Sequence, residues 1–278
     1  RKHNMPEESI DHINFEDLNK KALSKPLVNH MYTADPSAHV FNGKIYIYPS
    51  HDIDAGEAFD DLGSHFAMED YHVLSMDSID SDTVDNGVAL HVKDVLWAKQ
   101  QMWAPDANEK NGNYYLFFPA KDYEGVFRIG VAISNSPTGP FKAQLEAIKG
   151  SFSIDPAVFK DDNEDYYMYF GGLWGGQLQR WKTGVFNATQ PDSPTAFIPN
   201  ANEPALLPFV AKMSDNLLEF AEEPKELQIL DENGQLLKSG DTDRRFFEAA
   251  WLHKYDGKYY FSYSTGDTHY ICYAIGDN

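Results

Sequence analysis

Residues 153–172, "SIDPAVFKDDNEDYYMYFGG", place an acid, a proline, a short apolar run, a polar turn and a burst of tyrosines in one line. Nearly the same order occurs three more times. Asp35 opens "DPSAHVFNGKIYIY", Glu248 opens "EAAWLHKYDGKYYFSY", and Ala104 opens "APDANEKNGNYYLFF", with an alanine where the others carry a carboxylate. The aromatic that follows lies 11 residues on in two copies (Tyr46, Tyr115) and 12 in the others (Tyr167, Tyr260). Recurrence this regular marks a repeated supersecondary unit.

The turns identify the unit. "NGK" at 42–44, "NGN" at 111–113, "DDNED" at 161–165 and "DGK" at 256–258 each separate two apolar runs. Asn-Gly and Asp-Gly between such runs are hairpin signals, because both tolerate the positive φ that a tight turn needs. Four hairpins with one common start describe radially repeated antiparallel sheets, an all-β propeller rather than a sandwich. In a propeller the innermost strands surround a shared channel. Their first residues therefore face one basin, although 69, 51 and 93 residues separate them here. The tyrosine-rich second strands supply broad surfaces to fill the wedges between blades. A set of unrelated hairpins in a mixed α+β fold is the competing reading.

A second repeat bears on extent. "IGVAISNSPTGPF", from Ile129, completes the second unit, and "ICYAIGDN", from Ile271, matches its opening (Ala132 with Ala274, Ile133 with Ile275). The expectation is a chain that stops at the outer edge of its fourth repeat. Closure of the ring then falls to a blade outside it or to the N-terminal arm. Residues 1–26 read as that arm, with a short helix or irregular segment within 7–25, and residues 27–278 as the propeller. "GGLWGGQ" at 171–177 is a loop and lacks the Gly-Lys-Ser/Thr ending of a phosphate cradle.

Composition narrows the partners. The 278 residues carry 23 Lys and Arg against 43 Asp and Glu, a formal charge of −20, which repels nucleic acid and anionic membranes. No apolar run is long enough to span a bilayer. The first residues, "RKHNMPEES", lack the apolar core of a signal peptide, which leaves periplasmic, secreted and cytoplasmic locations open. Cys272 is the single cysteine, which excludes an internal disulfide and a Cys-based zinc cluster; in "HYICYA" it reads as a packed strand residue. Oligomeric state is not legible.

Three carboxylates at equivalent repeat starts point to acid–base work. Glu248 lies between "FF" and "AAW", where desolvation raises a carboxyl pKa and suits it to donate a proton. Asp35 and Asp155 precede proline, which biases each toward extended backbone. In a more polar setting such an Asp stays ionised and activates water. Two acids on opposite sides of a sugar ring are the apparatus of glycoside hydrolysis.

Together "ADPSAHVFNGKIYIYPSHD", "MWAPDANEKNGNYYLFFPAKD", "SIDPAVFKDDNEDYYMYFGG" and "RRFFEAAWLHKYDGKYYFSYSTGDTHY" resemble glycoside hydrolase family 43, from about residue 27 onward. The resemblance implies a five-bladed propeller, its last blade incomplete in this chain, that cleaves xylose- or arabinose-containing glycans with inversion. It is nearest the β-xylosidase branch. By motif position Asp35 would be the general base, Asp155 the orienter and pKa modulator, and Glu248 the general acid. The chain departs from the family at "FFEAAW", where relatives usually have Gly-Pro after the Glu.

The expected ligand is a xylo-oligosaccharide or an arabinose-substituted glycan. The chemistry needs no cofactor, a structural calcium ion is allowed, and no metal ligands are assigned. An α-L-arabinofuranosidase, a retaining fructan hydrolase and a non-catalytic glycan-binding propeller are the alternatives. Trp103, just before the second repeat, is a candidate sugar wall as well as a core residue. Phe66, Trp174 and Phe247 are further candidate walls, and each also fits a packing role. Arg128, Arg245 and His269 are candidates for contacting sugar hydroxyls or the acids, with surface, ion-pair or loop roles as the competing reading.

Overall fold

The computed structural model describes residues 14–54, 56, 63–189, 193 and 195–278. The chain divides into a unit ending at His30 and a second unit, Met31–Asn278. The first holds one helix, α1 (Phe15–Lys21), whose first turn is capped by Asn14 accepting from the Asp17 N–H at 3.1 Å. Among the described residues no helix is long and apolar enough to cross a membrane.

The second unit is an all-β propeller with four antiparallel sheets, one per sequence repeat. Blade 1 runs β1 (Tyr32–Phe41), β2 (Lys44–Asp52), β3 (Asp70–Met76) and β4 (Val84–His91) in order from the centre. Blade 2 holds β5 (Ala98–Gln100), β6 (Asp106–Lys110), β7 (Asn113–Asp122), β8 (Phe127–Ser134) and β9 (Lys142–Ala143), with β5 and β6 pairing opposite ends of β7. Blade 3 is β10 (Ala157–Lys160), β11 (Tyr166–Phe170), β12 (Phe209–Lys212) and β13 (Lys225–Glu226). Blade 4 is β14 (Glu248–Tyr255), β15 (Lys258–Thr265) and β16 (Tyr270–Gly276). The innermost strands are neighbours in the order β1, β6, β10, β14.

Strand alternation explains the wedges. Side chains on a strand alternate between faces, and a propeller blade is covered on both. On β7, Tyr114, Leu116 and Phe118 pack toward blade 1 with Tyr48, Val73 and Leu90. Tyr115 and Phe117, pointing the other way, meet Val158, Tyr166 and Met168 of blade 3. A third cluster joins Tyr169 of blade 3 to Phe261 and Tyr263 of blade 4. Polar groups tie the same seams: the Tyr48 hydroxyl donates to the Pro137 carbonyl at 2.6 Å, and that of Tyr166 to the Glu109 carbonyl at 2.7 Å.

The repeat with alanine at its start carries its acid two residues later. Asp106 is 1% exposed and accepts from the Val158 N–H of blade 3 at 2.7 Å, while its other oxygen lies 2.6 Å from His39 Nε2 of blade 1. Burial alone would lower the His39 pKa, but the charge and hydrogen bond of Asp106 carry it upward. One buried carboxylate thus fastens three blades around the channel. Asp106→Ala removes both acceptors and leaves the histidine unpaired. The expected cost is about 3–5 kcal/mol of unfolding free energy, read as a lower urea midpoint with an unchanged slope.

Candidate active site

The three repeat-start acids open onto one cavity of about 730 Å³, whose walls include residues 34–37 of blade 1, 103–106 of blade 2, 154–157 of blade 3 and 247–251 of blade 4. That is the convergence the repeat alignment implies: equivalent strand starts, one from each blade.

The backbone at these starts differs from the extended form expected before proline. Asp35 has φ +46°, Asp155 φ +56°, and Ala249, next to Glu248, φ +62°. Left-handed backbone at a residue with a side chain costs roughly 1–2 kcal/mol. Strand pairing breaks register at the same places, between Ala34 and Ser37 and between Glu248 and Trp251. Such bulges re-aim side chains, and strain of this kind gathers at functional sites. One product is visible: the Ala249 N–H donates to Asp155 Oδ2 at 2.8 Å, linking blade 4 to the acid of blade 3.

The glycine-rich loop holds the two acids' segments together. The Leu173 N–H donates to the Phe247 carbonyl at 2.9 Å, and the Gly171 N–H to the Ile154 carbonyl at 2.8 Å. Ser153 Oγ accepts from the Gly172 N–H at 3.0 Å and donates to the Gly176 carbonyl at 2.7 Å. A Cβ on Gly172 would lie 2.6 Å from Ile154 Cδ1 and 3.3 Å from Glu248 Cβ, so only glycine permits this approach.

Electrostatics sort the acids. Burial, then the charges of Asp155 and Asp35, push Glu248 well above the usual carboxylate range. Burial and Asp35 push Asp155 up to about 7, against the lowering effect of the Ala249 N–H. Asp35 is open to the cavity, yet the surrounding protein raises its pKa by desolvation and the nearby Asp52 adds to the rise. Its setting holds a second carboxylate, which nothing in "PSHD" announces. Asp52 lines the cavity, and its Oδ1 is buried with no hydrogen-bond partner; a ligand hydroxyl is a group that would satisfy it.

Among the other candidates, Phe66, Trp103, Trp174 and Phe247 all line the cavity. They form two edge-to-face pairs, Phe66 with Trp103 and Trp174 with Phe247. Trp103 Nε1 donates to the Phe66 carbonyl at 2.7 Å, which fixes the indole plane. Arg128, Arg245 and His269 are not among the cavity walls. Arg128 Nη1 donates to the Ser151 carbonyl at 3.2 Å, and its guanidinium sits 5.0 Å over the Trp181 ring. Buried Arg245 donates to Asp267 Oδ1 at 2.8 Å and covers the Phe247 ring, so it supports two wall residues from behind. His269 is exposed, with Nδ1 on the Gly266 carbonyl, while its neighbours Asp267 and Thr268 reach the cavity.

For metals, the one set of His, Cys, Asp or Glu side chains with ligand atoms within 4.8 Å of each other, among the described residues, is His51, Asp70 and His72. The three cavity acids do not form such a set. A calcium cage calls for six to eight oxygens. Asp106, the carboxylate at the channel, has one oxygen against His39 Nε2 and the other on the Val158 N–H, so a calcium ion there would draw on backbone carbonyls and water as well.

Residues 28–193 match the model of glycosyl hydrolases family 43. The chain is 58% identical to xylosidase/arabinosidase 43A of Humicola insolens over 88% of this chain and 76% of that protein. It is 51% identical to a beta-xylosidase of Xylanibacter ruminicola, over 89% and 76%. Among solved structures, it is similar to a beta-xylosidase/alpha-arabinofuranosidase from a compost microbial metagenome, in complex with xylotriose and in a calcium-free form. That likeness has 64% identity, TM-score 0.88, and coverage of 91% of this chain and 76% of that one.

Proposed function

Because the chain belongs to glycosyl hydrolase family 43, we propose that it is an inverting, exo-acting β-xylosidase that removes xylose from the ends of β-1,4-xylo-oligosaccharides. The observation that carries this reading is the opening of Asp35, Asp155 and Glu248 onto a single cavity from three blades. Its volume lies in the range of small-ligand sites.

Glu248 is the general acid. Burial and two neighbouring carboxylates push its pKa well above the usual carboxylate range, which favours the protonated form that the departing glycosidic oxygen needs. Asp35 is the general base: ionised, it takes a proton from the water that attacks the anomeric carbon from the opposite face. Asp155 tunes and orients. Its charge raises the Glu248 pKa, and its Oδ2 holds the Ala249 N–H beside that acid. Inversion requires room for a water, with carboxyl groups roughly 6.5–9.5 Å apart. Trp103 and Phe66 offer apolar faces to the pyranose.

Relatives named xylosidase/arabinosidase support α-L-arabinofuranosidase action as a second reading. Parallel kcat/KM values on aryl β-xyloside and aryl α-arabinofuranoside separate the two, and a preference for the arabinoside would displace the first. A five-bladed ring, residues 1–26 as an arm and 27–278 as the catalytic unit complete the proposal. The exposed Tyr270, Ile271, Tyr273 and Ile275 on β16 support the fifth blade, which would cover them.

The role of Asp155 has a signed test. Asn at this position still accepts from the Ala249 N–H but carries no charge. The Glu248 pKa then falls, so its proton is lost at lower pH. The basic limb of the kcat/KM profile should therefore move to lower pH in Asp155→Asn. An unmoved basic limb would remove the modulator role.

A further inference from the structure

Blade 1 carries a second cluster of chemistry-bearing side chains on its outer strands. His51 is the penultimate residue of β2, Asp70 and His72 share one face of β3 as residues i and i+2, and Asp85 lies on β4. His51 Nδ1 is 2.5 Å from Asp70 Oδ1, and His72 Nε2 is 3.7 Å from Asp70 Oδ2. On the far side of the ring, His72 Nδ1 is 2.9 Å from Asp85 Oδ1. The two imidazoles meet edge to face with centroids 5.0 Å apart. All four side chains are 16–20% exposed, reachable by water yet largely enclosed.

The hydrogen bond to Asp85 fixes the question. Asp85 accepts, so His72 Nδ1 carries the hydrogen, and a neutral ring then aims the Nε2 lone pair at Asp70 Oδ2. His51 Nδ1 gives its hydrogen to Asp70 Oδ1, and a divalent ion that displaced that hydrogen would find His51 Nδ1, His72 Nε2 and the Asp70 carboxylate within 4.8 Å of one another. A ligating histidine commonly gives its other N–H to a carboxylate, which fixes the tautomer and strengthens the donor. Asp85 stands where that partner belongs.

We propose that His51 Nδ1, His72 Nε2 and the Asp70 carboxylate bind a divalent transition-metal ion of the zinc class. Two nitrogens and one carboxylate suit zinc, with a fourth position left to water. With bonds of about 2.1 Å, tetrahedral donors sit about 3.4 Å apart. The separations of 2.5 and 3.7 Å bracket that value, and all three donor atoms lie within 4.8 Å of one another. Calcium does not fit this donor set, because it wants oxygens in greater number. The ion would staple β2 to β3 one residue from Asp52, and so stiffen one wall of the cavity without touching substrate.

The test is zinc alone, titrated into chelator-stripped protein and followed by calorimetry and native mass spectrometry. One equivalent is expected to bind. His72→Ala and His51→Gln should each weaken binding at least about 100-fold, and Asp85→Asn about 10–100-fold. Zinc should raise the melting temperature of the wild type and not of the folded variants, and calcium should not displace it. His51→Gln keeps a polar side chain of similar reach, so it remains informative if His72→Ala fails to fold. Absence of binding at about 100 μM zinc, or an equivalent retained in both histidine variants, would reduce the cluster to a hydrogen-bonded ladder and overturn the site.

Discussion

Glu248→Gln lowers kcat on xylobiose by up to about 10⁴-fold while the protein keeps its cooperative unfolding transition. Glutamine matches the shape of the protonated acid that burial and the neighbouring carboxylates favour at this position, but it has no acidic proton to give. The loss should depend on what leaves. A xylose hydroxyl is a poor leaving group and needs protonation as the bond breaks. A dinitrophenolate does not, and on that substrate the same variant should stay within about tenfold of wild type. Equal losses on both substrates would take the acid role away from Glu248.

Asp35→Asn is expected to lose a comparable factor, about 10²–10⁴-fold, with the opposite signature. Water must be activated whichever group departs, so the loss should be alike for xylobiose and for the dinitrophenyl xyloside. Shortening the side chain in Asp35→Ala opens space beside the anomeric carbon for a small anion that needs no base. Added azide should then restore turnover of the activated xyloside. Its nitrogen bonds to the anomeric carbon as the phenolate leaves, giving a xylosyl azide of inverted configuration. No rescue, or an azide of retained configuration, would remove Asp35 as base. The pair of variants separates the two roles because one loss follows the leaving group and the other does not.

Much of this arrangement is legible in the chain because hairpin turns and strand alternation are local. The Asn-Gly and Asp-Gly turns sit between paired strands, and the four repeat starts lie at the centre, where radial geometry brings them together. Other features depend on contacts between blades. Proline after Asp35 and Asp155 argues for extended backbone, yet both acids are left-handed, because register breaks and packing override a local preference. Asp106 hides behind the alanine of its repeat: its weight comes from His39 and Val158, which are 67 and 52 residues away. Asp52 reads as the end of a strand until the fold sets it beside Asp35. Arg128 and Arg245 show why lone arginines are hard to place. Each lays its guanidinium on a nearby ring and donates to an oxygen that only the folded chain brings within reach.

The most direct measurement is proton NMR of xylotriose during its first minutes with the enzyme. Attack by a water that Asp35 activates, on the face opposite the oxygen that Glu248 protonates, must release xylose first as the α-anomer, with the β-anomer appearing only through mutarotation. Xylose released first as the β-anomer would mean a double displacement, and would contradict the assignment of Asp35 as a base acting on water.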